Sequence, residues 1–148
     1  MNIDYQYVSD ATPELPFKWQ PLEVLFPPFS EYKTFTQKGD IWSFGILIWE
    51  MFERGSDLYP GLNLQGLRSF LKSGQRLPCP KHCPRELYKT MLWCWEKNPE
   101  NRPNFNTIKT DIEVIFNYIK IHQPHKLNFP VEVTSVNGYE CPRRSRFE

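Results

Sequence analysis

The sequence predicts an all-α fold, and three patterns support this. Residues 38–53 hold nine large apolar side chains in sixteen positions, and these surround the helical axis. A helix that is apolar on every side must be buried on every side. Residues 63–73 and 84–97 each place apolar side chains on one helical face, and residues 103–121 repeat them at intervals of three and four. We therefore expect these three segments to pack around the central one.

Capping residues and prolines set the expected helix ends. Gly55 should end the central helix, and Asn63 is a suitable N-cap for the next one. Pro84 and Pro103 suit the first turns of the last two helices, where no backbone N–H is needed. The predicted helices are 21–26, 38–53, 63–73, 84–97 and 103–121.

The predicted organisation is one helical domain followed by a tail. Residues 1–15 are polar and are expected to be irregular. The domain should extend over residues 1–121, and residues 122–148 should form a largely irregular tail. No internal repeat is visible.

Composition narrows the class of protein. The 148 residues are 40% hydrophobic and 16% aromatic, enough to build a core. The formal net charge of +1 gives no electrostatic case for binding nucleic acid or a membrane. Four cysteines without a signal peptide suggest reduced thiols and a cytoplasmic location.

The central segment carries a recognisable signature. The run from Asp40 to Glu50 matches D-x-W-S-F-G-x-x-x-W-E, and it resembles the long central helix of protein tyrosine kinases. Further segments resemble this family in order and spacing: Leu15–Trp19, Tyr59–Gly61, Gly74–Pro78, Cys83–Tyr88, Cys94–Trp95 and Arg102–Phe105. The resemblance covers roughly residues 5 to 121. It implies the helical C-terminal lobe of the protein-kinase-like fold, from the end of the activation loop onward.

The resemblance implies a parent enzyme that transfers the γ-phosphate of ATP, held with magnesium, to protein tyrosines. The 148 residues contain no G-x-G-x-x-G loop, no V-A-I-K-like strand, no H-R-D and no D-F-G. We therefore assign no catalytic residue and no cofactor to this chain, and we expect it to be inert without the missing kinase portion. The expected partners are protein substrates or signalling proteins, and the parent could be a membrane receptor. The alternative is a pseudokinase-like module that binds proteins.

The same resemblance implies roles for several side chains. Pro16, Phe17, Lys18 and Trp19 match the loop that docks the substrate tyrosine. Glu23 and Arg102 match a buried structural ion pair of the family. These positions imply substrate docking and structure, with no chemistry of their own.

Three further positions are open. Asp40 matches a helix-start residue that anchors the catalytic loop, and here it should cap its own helix or stay solvated. Tyr7 has the spacing of an activation-loop phosphorylation site, with Tyr5 as the second candidate.

The cysteine-rich loop raises the question of zinc. Cys79, His82 and Cys83 resemble half of a zinc site, which normally needs four ligands. A fourth would have to come from Cys94, His122 or Cys141, none of which has supporting spacing. Since tyrosine kinases commonly carry cysteines in this loop, we predict no metal site.

A central helix of this kind should be incompletely covered. We expect some of Ile41, Phe44, Ile48 and Trp49 to face water, because the family covers one side of this helix with segments that precede D-F-G. Exposed large apolar side chains would make the chain prone to associate.

Overall fold

The structure, a computed structural model, describes residues 6–9, 16–26 and 33–124. The chain forms two compact units, Met1–Ile115 and Phe116–Glu148, and the boundary falls inside the last helix. The elements in chain order are β1 (Gln6–Ser9), a 3-10 turn (Phe17–Trp19), α1 (Leu22–Leu25), β2 (Lys33–Thr36), α2 (Gln37–Glu53), α3 (Leu64–Lys72), α4 (Arg85–Cys94), a second 3-10 turn (Pro99–Asn101) and α5 (Phe105–His122).

The mostly helical class is confirmed, and each predicted helix is present. Four of them are shorter than predicted: α1 is a single turn, α4 ends at Cys94 instead of reaching residue 97, and α3 and α5 are shorter by one or two residues. Asn63 caps α3 as predicted, because its side chain accepts a hydrogen bond from the Gly66 amide at 2.9 Å. Residues 125–148, most of the predicted tail, lie outside the described part of the chain.

A short antiparallel ladder corrects the prediction for the N-terminal segment. The segment 1–15 was expected to be irregular, yet Gln6–Ser9 pairs with Lys33–Thr36, with Tyr7 opposite Phe35. Both strands have four residues, too few to establish an alternating apolar pattern, and the two strands are far apart in sequence. Such a pairing is decided by tertiary contact and leaves little local signal.

The central helix α2 begins on a cap that the sequence analysis did not assign. Thr36 is its N-cap, and the Thr36 hydroxyl accepts a hydrogen bond from the Gly39 amide at 3.2 Å. Arg54 ends the helix in the left-handed conformation, one residue before Gly55. Asp40 therefore does not cap the helix, and its side chain is exposed.

The open side of α2 is only partly the one we predicted, since Phe44 alone of the four expected residues is half-buried. Ile41, Ile48 and Trp49 are buried, with at most 6% of their surface exposed. Leu47 and Met51 face solvent instead, at 50% and 72%. Apolar residues surround this helix, so its sequence pattern could not reveal which stripe the neighbouring helices leave uncovered.

The core of the first unit forms where α2 meets α4, and one glycine permits the contact. A Cβ on Gly45 would lie 2.6 Å from Trp95 Nε1 and 2.9 Å from Cys94 Cβ. Both neighbours are themselves buried and cannot withdraw into solvent. Gly45 is therefore required for the close approach of the two segments.

No helix in the described ranges is both long and apolar enough to cross a membrane.

We predict that Gly45→Ala destabilises the chain by about 1–3 kcal/mol, the usual cost of inserting a methyl group into a packed core. The matched control is Gly39→Ala in the same helix, where the nearest atom to a new Cβ is Pro21 Cγ at 3.7 Å. That variant should be as stable as the wild type or slightly more so, since alanine favours helix over glycine. Urea unfolding of the three proteins measures both effects. Equal stability of the two variants would contradict the close packing.

Candidate functional site

The predicted docking residues form a tight turn at the surface of the first unit. Phe17–Trp19 is a 3-10 turn, in which the Trp19 amide donates to the Pro16 carbonyl at 3.1 Å. Pro16 is exposed, and Phe17, Lys18 and Trp19 are half-buried. The turn therefore presents one face to solvent while the other contacts the helical core. We call Pro16–Trp19 the docking turn.

Two polar side chains of α2 hold the docking turn in place. The Trp19 indole donates to Glu50 Oε2 at 2.8 Å, and the Ser43 hydroxyl donates to the Trp19 carbonyl at 3.0 Å. Ser43 and Glu50 are seven residues apart, which puts them on the same helix face. Both residues lie within the D-x-W-S-F-G-x-x-x-W-E signature, but no role was predicted for either of them from the sequence. Their position on one helix face was the signal that could have pointed to a shared contact.

The outer edge of the docking turn carries an ion pair with the segment after α2. Lys18 Nζ lies 2.7 Å from Asp57 Oδ1. The Asp57 side chain is 66% exposed, so water screens the pair and it contributes little to stability. This contact orients the Lys18 side chain more than it stabilises the fold. Asp57 was not singled out from the sequence.

The structure brings Glu23 and Arg102 together, 79 positions apart in sequence. Arg102 Nη1 lies 2.6 Å from Glu23 Oε1, and Nη2 donates to Glu23 Oε2 at 2.9 Å. Such a bidentate geometry is among the strongest pairings of charged side chains. The Arg102 side chain is fully buried, whereas that of Glu23 is 26% exposed.

Two backbone carbonyls complete the coordination of Arg102. Nη1 also donates to the Lys38 carbonyl at 2.8 Å, and Nε donates to the Glu96 carbonyl at 2.9 Å. Lys38 returns a bond, because its ammonium donates to the Arg102 carbonyl at 2.6 Å. The guanidinium thus joins the segment after the docking turn, the start of α2 and the end of α4. We call Arg102, Glu23, Lys38 and Glu96 the Arg102 clasp.

A buried indole contacts two guanidinium groups. The Arg102 guanidinium lies 5.1 Å from the centre of the Trp42 ring, and that of Arg76 lies 5.0 Å from it. Trp42 is fully buried, and its Nε1 has no hydrogen-bond partner among the described residues. Burial, the larger effect, lowers the pKa of Arg76 despite the nearby Tyr59 and Glu96. Cation–π attraction to Trp42 offsets part of the cost of burying these charges.

Asp40 and the two tyrosines are the remaining positions predicted from the sequence. Asp40 lies in the first turn of α2 and is exposed, yet neighbouring protein atoms displace some water from its carboxyl, and this desolvation raises its pKa above the ordinary value. Tyr7 lies in β1, opposite Phe35, and its side chain is not among those described. Tyr5 lies outside the described residues.

The cysteine loop contains no cluster that fits a metal ion among the described side chains. Cys79 is exposed and Cys83 is buried, and both are free thiols. Burial is the main effect that raises the pKa of Cys83 to about 12, so its thiol is protonated at neutral pH. Metal binding needs the thiolate, which this environment disfavours. Cys141, one of the possible fourth ligands, lies outside the described residues.

We predict that Arg102→Ala and Glu23→Ala each destabilise the fold. Removing one partner of a buried ion pair typically lowers the free energy of unfolding by about 3–5 kcal/mol. Arg102→Ala should be the more damaging, because it also removes the bonds to the Lys38 and Glu96 carbonyls. The double variant should lose less than the sum of the two, since the second substitution removes a group already unpaired. Unfolding free energies of the four proteins give the coupling.

The matched control for this cycle is the exposed pair of Lys109 and Glu113 on α5. Their charged atoms are 3.9 Å apart, and both side chains are more than half exposed. Coupling there should be about 0.3–0.5 kcal/mol. Additive effects for Glu23 and Arg102, indistinguishable from the control, would refute the clasp.

Comparison with known proteins places this arrangement in a family. A family model described as protein tyrosine and serine/threonine kinase matches residues 1–112, which include the docking turn and the Arg102 clasp. The chain is 40% identical over 112 residues to a fibroblast growth factor receptor of Halocynthia roretzi, covering 76% of this chain and 14% of that protein. It is 38% identical over 109 residues to the human tyrosine-protein kinase Fer, covering 74% of this chain and 13% of Fer.

Mouse Fer gives the same identity over the same length as human Fer. The chain thus spans only 13–14% of the length of these curated relatives. The matched region is the helical unit described above, with α2 at its centre. The chain therefore belongs to the protein tyrosine and serine/threonine kinase family, and it corresponds to the C-terminal lobe of a tyrosine kinase catalytic domain.

Proposed function

We propose that this chain is the substrate-docking lobe of a protein tyrosine kinase, whose complete catalytic domain transfers the γ-phosphate of ATP to protein tyrosines. In this proposal the lobe positions the acceptor tyrosine, and other segments of the kinase bind ATP and magnesium. Phosphoryl transfer depends almost wholly on positioning and charge stabilisation, so the lobe alone is inactive. The proposed partners are substrate or signalling proteins.

The observation that carries this proposal is the rigid attachment of the docking turn to the helical core. The Trp19 indole donates a hydrogen bond to Glu50, and the Trp19 carbonyl accepts one from Ser43, so both the ring and the backbone of Trp19 are fixed. Glu23, shortly after the turn, is held by a fully buried guanidinium. A docking surface must keep its geometry within a fraction of an ångström to align an acceptor for in-line attack. This attachment supports a positioning role.

Asp40 and the tyrosines have proposed roles within the complete enzyme. Asp40 projects from the first turn of α2 into solvent, where it can accept hydrogen bonds from the backbone of a catalytic loop. Tyr7, or else Tyr5, is the proposed phosphorylation site, since phosphate adds two negative charges at most and can order a loop. We propose a cytoplasmic location, because free thiols such as those of Cys79 and Cys83 are typical of a reducing compartment.

The test is a chimaeric kinase. The segment of the human Fer catalytic domain that matches this chain is replaced by the chain's own residues, and phosphorylation of tyrosine and serine peptides is measured. We predict tyrosine phosphorylation and none on serine. Trp19→Ala in the chimaera should raise the KM for the tyrosine peptide about tenfold, which corresponds to ~1.4 kcal/mol of lost positioning. The KM for ATP should not change.

Lys109→Ala is the matched control, because its pair with Glu113 is exposed and lies on a different element from the docking turn. It should leave both KM values unchanged. A folded chimaera that phosphorylates serine as well as tyrosine would refute the proposed specificity. A folded chimaera that binds substrate proteins but transfers no phosphate would favour the pseudokinase-like module instead.

We predict that the isolated chain, incubated with Mg-ATP and a tyrosine-rich copolymer, incorporates no phosphate above a buffer control. The reason is that its 148 residues contain none of the family's phosphate-loop, lysine, catalytic-base or metal motifs. Mass spectrometry should first show the preparation free of other kinases. Incorporation that co-purifies with the chain and disappears in Arg102→Ala would contradict the proposal.

A further inference from the structure

The ion pair at the outer edge of the docking turn joins two anchored segments. Lys18 Nζ lies 2.7 Å from Asp57 Oδ1, across 39 positions of sequence. Phe17 and Trp19, on either side of Lys18, pack against the core. Leu58, which follows Asp57, is only 2% exposed. The fold therefore holds the two charges beside each other.

The segment before Asp57 is fixed as well. The Ser56 amide donates to the Glu53 carbonyl at 3.2 Å, and the Ser56 hydroxyl donates to the same carbonyl at 2.8 Å. Asp57 thus extends from a closed turn at the end of α2, with a buried residue after it. Its carboxylate is a fixed feature of the surface next to the docking turn.

The two partners of the pair are unequally exposed. The Lys18 side chain is 21% exposed, whereas that of Asp57 is 66% exposed. Among the described residues, Lys18 forms no other ion pair. A molecule that approaches the docking turn from solvent therefore meets the ammonium and the carboxylate together, and their charges sum to zero.

We propose that Asp57 determines substrate specificity by neutralising Lys18, so that the docking turn takes tyrosines flanked by uncharged residues and gives no advantage to acidic ones. This proposal rests on the proposed function of the lobe and names the substrate class of that site. Because Asp57 acts through Lys18, it is a positioning residue and takes no part in the chemistry.

The geometry puts Lys18 within reach of the residues that flank the acceptor. Pro16 is the exposed residue of the docking turn, and Lys18 follows two positions later, inside the 3-10 turn. A rise of about 2 Å per residue separates the two by about 4 Å along the turn. Successive residues of an extended peptide are about 3.3 Å apart. With the acceptor tyrosine at Pro16, the substrate residue beside Lys18 is one or two positions from that tyrosine.

The charge at Lys18 decides which substrate side chain is favoured there. An unpaired ammonium attracts a carboxylate, whereas the field of a close pair of opposite charges largely cancels a few ångströms away. Interactions between exposed charges are weak, so the expected effect on selectivity is about threefold. Salt should suppress it, because the Debye length shrinks to about 3 Å at about 1 M ionic strength.

The test uses the chimaeric kinase and pairs of tyrosine peptides that carry either glutamate or glutamine at one of the two positions on each side of the tyrosine. The ratio of the kcat/KM values for the two peptides measures selectivity. The parent chimaera should show no preference for glutamate at any position. Asp57→Asn should create a preference of about threefold at low salt for at least one position. That preference should disappear at about 1 M salt.

Two further variants show whether Asp57 acts through Lys18. When Lys18→Met is combined with Asp57→Asn, the preference should disappear, since no ammonium remains to attract glutamate. Glu113→Gln removes a carboxylate from the exposed pair on α5 and changes the net charge equally, so it is the matched control and should leave the ratio unchanged. If Asp57 only supported the fold, Asp57→Asn would affect both peptides alike and the ratio would stay at the parent value.

The proposal is overturned if the parent chimaera already prefers glutamate as strongly as Asp57→Asn does, or if the preference persists without Lys18. A folded chimaera that phosphorylates neither peptide contradicts the proposed function instead. Selectivity is then measured by binding: the isolated full chain and its variants are titrated into each peptide, and peptide NMR signals give the Kd values. The same ratios are expected, and equal Kd values for the two peptides with Asp57→Asn, or no binding to the chain, would overturn the proposal.

Discussion

The bidentate ion pair between Arg102 and Glu23 is the contact on which the arrangement of the first unit depends. The guanidinium makes four hydrogen bonds, two to Glu23 and one each to the carbonyls of Lys38 and Glu96. A buried charge is costly to desolvate, and the pair is tolerated because nearly every donor of the guanidinium is occupied. Geometric specificity is therefore its main contribution. The arginine thereby ties Glu23, Lys38 and Glu96 to one another.

The central helix α2 supplies the other half of this specificity. It reaches two loops through polar atoms: Ser43 and Glu50 bind the docking turn, and the Trp49 indole binds the cysteine loop at Pro78. An apolar helix can carry these few polar groups because each one is paired with a specific partner. Both the docking turn and the cysteine loop are thus positioned by the same element. A change in the packing of α2 would therefore shift both loops.

Close packing at Gly45 fixes how α2 is oriented toward α4. The glycine lets the Trp95 ring lie against the helix backbone, while Leu47 and Met51 remain on the opposite, open stripe. Since a helix rotates as a unit, the position of one glycine determines which side chains are buried along its whole length. This explains why Ile48 and Trp49 are covered whereas Leu47 and Met51 are not. The exposed stripe is a result of this orientation.

The sequence by itself determined the helical class, the family and the approximate ends of the helices, because apolar spacing, caps and prolines act locally. The roles of Ser43 and Glu50 were also within reach, since their spacing places them on one face. Tertiary structure alone decided the β1–β2 ladder and the open stripe of α2. A four-residue strand is too short to show the two-residue alternation of apolar side chains. In a helix that is apolar on every side, the sequence does not indicate which face will be buried. The position of the cysteine loop likewise depends on the bonds that Trp49 and Tyr88 donate to the carbonyls of Pro78 and Leu77, which no local pattern encodes.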